Sequence, residues 1–131
     1  MSNRRYKNIY RGLTFSEEDI KDYKNEEGKE ISLKGFSSAS MNRDIAIKFA
    51  LDDVQPPKRP VLLQIEWLGL EDHFRLNSNE YSAYPKEEEI LLNDGLSMTV
   101  VKVDVDYMIT DGFYTGENLV KITLRRGELD Q

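Results

Sequence analysis

Several residue types that carry common chemistry are absent or nearly absent from this chain. Its 131 residues include no cysteine and a single histidine, His73. Without cysteine there is no disulfide, no thiol nucleophile and no thiolate metal site. One histidine excludes any metal site built on a histidine pair and any mechanism that needs two imidazoles. We interpret His73, between Asp72 and Phe74, as a surface or strand-edge residue, and no metal is implied.

Long apolar runs and basic clusters are also lacking. No apolar stretch approaches the roughly 20 residues that a membrane-spanning helix needs, and the N-terminus lacks the apolar core of a signal peptide. The net charge is −6 and the sequence pI is about 4.9, which argues against nucleic acid or an anionic membrane as a partner. The cysteine-free composition favours the cytoplasm and does not exclude export.

The rest of the composition is that of one soluble domain. Hydrophobic residues make up 39% and charged residues 32% of the chain, as in ordinary globular proteins. A chain of this length builds one core rather than two, so we expect residues 1–131 to form a single domain. The patterns predict six or seven strands and two helices near the N-terminus. Short turns between the late strands indicate an antiparallel α+β fold.

The first predicted strand, Lys7–Leu13, carries the first residues of interest. Strand alternation places Ile9 and Arg11 on one face and Tyr10 on the other. Gly12 is expected to stop or bulge this strand and to let another group approach its backbone.

Two predicted helices follow. Ser16 and Asp19 form a capping-box pattern ahead of a helix at about 17–24. The second helix, over 43–51, is capped by Asn42 or Ser40, and its apolar positions form one stripe at helical spacing: Ile45, Ala46, Phe49 and Ala50.

The later chain predicts strands separated by a long connection. We expect a buried strand over 61–67, with Trp67 packed in the core or at its rim; the alternative is that Trp67 is a ligand platform. An irregular polar connection follows over 69–86, a type that is often functional. Two further strands show alternating patterns. In the first, Val101, Val103, Val105 and Tyr107 share a face, and in the second Val120, Ile122 and Leu124 do.

Three carboxylates run directly into an apolar triplet at Glu87-Glu88-Glu89-Ile90-Leu91-Leu92. If this stretch is extended, Glu87 and Glu89 share one face roughly 7 Å apart and Glu88 takes the other. Such a pair suits one carboxylate for each of two reacting groups. The alternative is a solvated acidic edge that protects an apolar strand.

Three motifs stand in order along the chain: Tyr10-Arg11-Gly12, Phe36-Ser37-Ser38-Ala39-Ser40, and Glu87-Glu88-Glu89-Ile90-Leu91-Leu92. This order resembles the mono-ADP-ribosyltransferases of the arginine–serine–glutamate class, which includes eukaryotic ecto-transferases and bacterial toxins. The resemblance covers roughly residues 6–125. It implies a split β-sandwich of two small, mainly antiparallel sheets with N-terminal flanking helices, and NAD consumed as a substrate.

The resemblance assigns NAD-binding roles to residues of the first two motifs. Arg11 matches the family arginine that holds NAD, and Gly12 matches the glycine whose backbone meets the nicotinamide carboxamide. Ser38 matches the serine that orients the catalytic glutamate, and Ser40 matches the last serine of that motif. Ala39 replaces the usual threonine, which we expect to tune the site rather than abolish it.

One further NAD-binding residue is implied outside the motifs. Phe49 occupies the position of an aromatic residue that packs on the nicotinamide in the toxin branch. The alternative is that Phe49 is a core residue on the apolar stripe of its helix.

The third motif supplies the implied chemistry. Glu89 aligns with the catalytic glutamate, which would stabilise the oxocarbenium-like ribose as nicotinamide leaves. Glu87 aligns with the glutamate that engages an acceptor arginine, and a guanidinium needs a nearby carboxylate because it otherwise stays protonated. Tyr81 and Tyr84 match the family's acceptor-recognition loop and could stack on the acceptor guanidinium.

The resemblance has one notable departure, and it leaves several functions open. Many relatives carry a helical segment before the arginine strand, whereas Arg11 lies ten residues from the start of this chain. We expect a minimal catalytic domain, a domain cut from a longer protein, or one that needs a partner. The leading hypothesis is transfer of ADP-ribose from NAD to a protein arginine. The alternatives are an NAD glycohydrolase and a non-catalytic NAD-binding or interaction module.

Overall fold

A computed structural model describes residues 6–32, 37–52, 54–68, 81–84, 89–92 and 96–126. They form two helices and eight strands in this order: β1 Tyr6–Phe15, α1 Glu17–Asn25, β2 Glu30–Ser32, β3 Ser37–Ser40, α2 Arg43–Asp52, β4 Arg59–Leu68, β5 Tyr81–Tyr84, β6 Glu89–Leu92, β7 Ser97–Met108 and β8 Asn118–Arg126. The predicted α+β class is therefore confirmed. No helix within the described ranges is long and apolar enough to cross a membrane.

The eight described strands hydrogen-bond edge to edge in the order β2-β7-β8-β4-β1-β3-β6-β5. All neighbouring pairs in this order are antiparallel except β4 and β8, which are parallel. The family resemblance implied a split β-sandwich of two small, mainly antiparallel sheets. The structure has two such parts, which meet where Tyr10 of β1 lies opposite Ser40 of β3. A five-stranded part and a three-stranded part are thereby joined into one sheet by this single pair, which we call the seam.

β1 runs straight through Gly12. Its register with β4 is continuous from Tyr6 opposite Leu68 to Phe15 opposite Arg59, so the predicted stop or bulge at Gly12 is wrong. The predicted close approach is confirmed, because α2 crosses β1 at this point. A Cβ on Gly12 would overlap the carbonyl oxygen of Ala46 and lie 2.7 Å from the backbone nitrogen of Ala50.

The start of α1 follows the predicted capping box. The backbone N–H of Asp19 donates to Ser16 Oγ at 3.1 Å, and the N–H of Ser16 donates to Asp19 Oδ2 at 3.2 Å. This arrangement satisfies two N–H groups that the first helical turn leaves unpaired. Later in α1, Tyr23 stacks on Phe15 with ring centroids 5.3 Å apart.

The predicted apolar stripe of α2 is partly wrong. The helix buries Ala46, Ile47 and Ala50, whereas Phe49 is 60% exposed. Two alanines face the sheet because β1 lies so close at Gly12, and this contact rotates Phe49 outward. Phe49 is therefore not a core residue.

Two β-bulges in β7 change which valines are buried. Its register with β8 shifts between Val100 and Lys102 and again between Asp104 and Tyr107. As a result Val100 and Val103 are buried while Val101 and Val105 are exposed. The predicted shared face of Val101, Val103 and Val105 is wrong, because an inserted residue reverses the alternation of the strand.

Separate apolar clusters cover the two sides of the sheet. The first core lies beneath α1 and contains Ile9, Ile20, Trp67 and the alternating residues Val120, Ile122 and Leu124 of β8, which confirms the predictions for Trp67 and for that strand. The second core lies beneath α2 and includes Ala46, Ile47, Leu62, Ile109 and Leu119.

Candidate functional site

The three sequence motifs lie on strands that are consecutive neighbours in the sheet. Tyr10 of β1 is opposite Ser40 of β3, Ser40 is opposite Glu89 of β6, and Glu89 is opposite Tyr84 of β5. Positions that are far apart along the chain therefore form one row across four strands, which we call the Glu89 row. Directly paired residues in an antiparallel ladder share a face and lie about 5 Å apart. The row therefore places Tyr10, Ser40 and Glu89, one residue from each motif, next to one another.

β1 and β3 separate immediately beyond this row. Arg11 and Gly12 continue β1 and pair with β4 on their other side, and within the described residues β1 pairs with β3 only at Tyr10. Ser38, two residues before Ser40, pairs instead with Leu91 of β6. The arginine and serine motifs therefore lie where the pairing of β1 with β3 ends.

Arg11 lies on the first-core side of β1, the side of Ile9, as predicted from strand alternation. It is half-buried, and burial lowers the pKa of its guanidinium. An arginine side chain keeps its charge in proteins, so burial weakens the hydration of the charged guanidinium instead. A poorly hydrated guanidinium is well suited to bind a phosphate.

Ser40 and Ala39 turn to opposite sides of β3. Ser40 is 8% exposed, and its Oγ accepts the backbone N–H of Asn42 at 2.9 Å. Asn42 Oδ1 in turn accepts the N–H of Asp44 at 3.0 Å, so Asn42 is the cap of α2. Ala39 is buried in the first core, where the hydroxyl of a threonine would need a hydrogen-bond partner.

The remaining predicted site residues fall into three groups. Tyr81 and Tyr84 belong to strand β5 and not to an irregular loop, because residues 81–84 pair with β6. Glu87 and Glu88 lie outside the described residues. The side chains of Ser38 and Glu89 are not described, and these residues are placed by strand register alone.

A polar contact that the sequence did not indicate lies beside Tyr10. Arg43, at the start of α2, donates from Nη1 to Asp111 Oδ1 at 3.0 Å and from Nη2 to the carbonyl oxygen of Asp111 at 2.8 Å. Burial raises the pKa of the Tyr10 phenol, and the charge of Arg43 opposes that shift. Arg43 therefore ties the β7–β8 turn to the start of α2, close enough to Tyr10 for its charge to act on the phenol. The glycines at 112 and 116 indicate the turn, but nothing in the sequence pairs it with Arg43.

No three of the described His, Asp or Glu residues are grouped in a way that could hold a metal ion. What the site does offer is a half-buried guanidinium, a buried serine and the backbone of a carboxylate-bearing strand.

The model of the ADP-ribosyltransferase exoenzyme family matches residues 3–123. The chain belongs to this family. The resemblance drawn from the three motifs is thus confirmed over nearly the whole sequence. A sequence comparison with curated proteins finds no match.

Solved structures of ADP-ribosyltransferases have the same fold. The Vis toxin of Vibrio splendidus superposes with a TM-score of 0.59 at 17% identity, covering 95% of this chain and 50% of that one. HopU1 of Pseudomonas syringae gives 0.58 at 15% identity, with 93% and 46% covered. Exoenzyme S of Pseudomonas aeruginosa, bound to Carba-NAD and to human 14-3-3 protein beta, gives 0.55 at 18%, with 97% and 51% covered. This family member thus spans about half the length of each of the three.

Proposed function

We propose that this chain cleaves NAD at the nicotinamide–ribose bond and transfers ADP-ribose to a protein arginine. The observation that carries the proposal is the Glu89 row, because it makes neighbours of three motifs that the sequence separates. Family membership and the shared fold support it. A structure of Vis in complex with agmatine, a guanidinium compound, supports an arginine-like acceptor.

Glu89 stabilises the transition state in this proposal. Nicotinamide leaves as a neutral group, and positive charge develops on the ribose ring as it does in glycoside cleavage. A carboxylate held beside that cation interacts with it more strongly in the transition state than in bound NAD, which is the condition for catalysis. The electron pair of the broken bond leaves with nicotinamide, and the acceptor nitrogen then forms the new bond to the ribose carbon.

Glu87 binds the acceptor. A guanidinium stays protonated at neutral pH and is a poor nucleophile until a proton is removed. A carboxylate two residues before Glu89 can accept that proton while it orients the acceptor. Glycohydrolysis does not require this role, because water is the acceptor there.

Arg11 and Phe49 hold NAD. The guanidinium of Arg11 binds the pyrophosphate, and the exposed ring of Phe49 packs on the nicotinamide. Two observations support these roles: burial weakens the hydration of the Arg11 guanidinium, and the ring of Phe49 is 60% exposed on α2. Exoenzyme S, the relative bound to Carba-NAD, supports NAD as the substrate.

The first test measures free nicotinamide after incubation with NAD alone and then with agmatine. We expect release to rise with agmatine, together with an ADP-ribosyl adduct. In Glu89→Gln we expect release to fall about 100- to 1000-fold, as for removal of a group that stabilises transition-state charge. The Glu88→Gln variant is the matched control and should retain wild-type rates. Unchanged release in Glu89→Gln would refute the mechanism.

A second variant separates transfer from hydrolysis. Glu87→Gln should lower adduct formation with agmatine at least about 100-fold, the scale of lost general-base catalysis, while release of nicotinamide to water persists. Equal loss of both activities would remove the assigned role of Glu87. Release without adduct in the wild type would identify a glycohydrolase.

A further inference from the structure

The turn between β7 and β8 exposes an aromatic ring that the core does not use. Phe113 is 83% exposed, the most of any large apolar side chain in the described residues. Its ring contacts Tyr114 edge to face, with centroids 4.9 Å apart at 75°. Tyr114 itself packs on the second core. Phe113 is therefore exposed to solvent while it contacts a tyrosine that packs on the second core.

The turn is built to hold one conformation. Gly112 and Gly116 have φ of 88° and 94°, values that side chains other than glycine rarely adopt. The N–H of Ile109 donates to the carbonyl oxygen of Glu117 at 2.9 Å, and the N–H of Gly116 donates to the carbonyl oxygen of Ile109 at 2.8 Å. A preordered aromatic loses little conformational freedom when it binds a partner.

The turn lies next to the Glu89 row. Its Asp111 is held by Arg43 through two hydrogen bonds, and Arg43 lies three positions after Ser40. Tyr10, the partner of Ser40 in the row, packs on the same core as Tyr114. A macromolecule bound at the row would extend over this turn.

The charge around the turn is one-sided. Residues 103–120 contain no lysine, arginine or histidine and have four carboxylates, Asp104, Asp106, Asp111 and Glu117. Four cations reach this segment from other positions. Arg43 pairs with Asp111, Lys121 lies over the ring of Tyr107, and Arg59 and Lys24 donate to the carbonyl oxygens of Val105 and Val103. The turn itself has two carboxylates, Asp111 and Glu117, and one paired cation, Arg43. One negative charge therefore remains beside the exposed aromatic ring, a combination that favours a guanidinium group.

We infer that Phe113 and the surrounding carboxylates form a second binding surface, which engages basic residues flanking the acceptor arginine of a protein substrate. This inference rests on the proposed function for the identity of its partner. Phe113 binds a guanidinium through its ring face, and the carboxylates attract the basic segment. The surface selects protein acceptors and leaves small guanidinium acceptors unaffected.

Binding of poly-L-arginine without NAD tests the surface independently of catalysis. In calorimetric titrations we expect Phe113→Ala to weaken binding about 2- to 5-fold, the scale of an exposed cation–π contact. Phe113→Tyr keeps the ring and should bind as the wild type does. Met108→Ala, which removes another side chain that is 53% exposed, is the matched control. Equal affinities of the wild type and Phe113→Ala would overturn the inference.

A charge comparison distinguishes a local surface from general attraction to an acidic protein. Glu117→Gln, at the turn, should weaken binding of poly-L-arginine. Glu18 is exposed on α1, the helix that packs on the first core. Glu18→Gln removes the same charge and should not weaken binding. Equal weakening by both variants would indicate non-specific attraction and reject the surface.

Catalysis provides the second readout. We expect Phe113→Ala to raise KM for poly-L-arginine while KM for agmatine and for NAD stays unchanged. An inactive wild type that still binds poly-L-arginine through Phe113 would reject the transferase and keep the surface. An active enzyme whose Phe113→Ala variant modifies poly-L-arginine normally would reject the surface and keep the transferase.

Discussion

At the scale of single residues, Gly12 sets the distance between the arginine strand and α2. Both groups that a Cβ would meet, the Ala46 carbonyl and the Ala50 nitrogen, belong to the helix backbone. A helix backbone cannot move aside as a flexible side chain does. The glycine of the Tyr10-Arg11-Gly12 motif therefore has a packing role in addition to any contact with NAD.

Gly12→Ala is expected to destabilise the fold by about 3 kcal/mol, the upper range for overpacking a close contact. Gly28→Ala is the matched control, because a Cβ there meets no atom within 4 Å. Its cost is limited to the left-handed backbone, about 1 kcal/mol. Denaturant midpoints measure both, and a Gly12→Ala variant no less stable than Gly28→Ala would contradict the packing.

Glu27 links stability to pH. Its carboxylate accepts the backbone N–H of Val103 at 2.6 Å, and this bond is the main reason that the pKa of Glu27 is lowered, with Lys24 adding to the effect. A carboxyl with a lowered folded pKa stabilises the protein above its unfolded pKa, about 4.3. That contribution disappears as pH falls through the lower folded pKa.

We therefore expect Glu27→Gln to be less stable than the wild type at neutral pH, and this difference to vanish in acid. Thermal melts from pH 7 down to pH 3 measure it. Glu18→Gln serves as control and should show no such convergence. A difference between wild type and Glu27→Gln that is constant over the whole range would refute the assigned bond.

At the scale of secondary structure, the capping box of α1 makes a direct prediction. Ser16→Ala removes the acceptor of the Asp19 N–H and is expected to cost about 1 kcal/mol. Ser16→Asp retains an acceptor oxygen and should restore most of the loss. Urea unfolding measures both variants. No destabilisation in Ser16→Ala would mean that water replaces the cap without penalty.

Local sequence patterns predicted those elements whose determinants are close together in the chain. The Ser16–Asp19 box and the alternation at Val120 and Ile122 depend on residues within one turn or one strand. The burial of Val101 was predicted wrongly, and Phe49 does not join the apolar stripe predicted for α2, for a different reason. The bulges in β7 and the approach of α2 to Gly12 are set by other strands, and periodicity within one element does not contain them.

The same distinction applies to the site. The motif residues Arg11, Ser40 and Glu89 were found by their local sequences, and strand pairing then made neighbours of Ser40 and Glu89. The hydrogen bonds from Arg43 to Asp111 join residues 68 positions apart. No pattern within either segment indicates that contact.

At the scale of the whole molecule, NAD binding should appear as added stability. A ligand at one hundred times its dissociation constant stabilises a protein by about 2.7 kcal/mol, and each tenfold loss of affinity removes about 1.4 kcal/mol of this. We expect NAD to raise the Tm of the wild type and Arg11→Ala to reduce that rise. Arg125→Ala is the control, because Arg125 binds Glu66 on β4. An undiminished rise in Arg11→Ala would exclude Arg11 as the phosphate ligand.

The single pair that joins β1 to β3 has a consequence for how the protein opens. The five strands on one side of the seam carry most of the two apolar cores. Within the described residues, β3, β6 and β5 pair with them only at Tyr10 opposite Ser40 and add Ala39 to the first core. Segments with few shared contacts unfold locally at a lower free energy than the whole domain. Amide hydrogens of β6 should therefore exchange with solvent faster than those of β4 and β8. If NAD binds at the seam as proposed, it should slow that exchange by linking the two parts of the sheet.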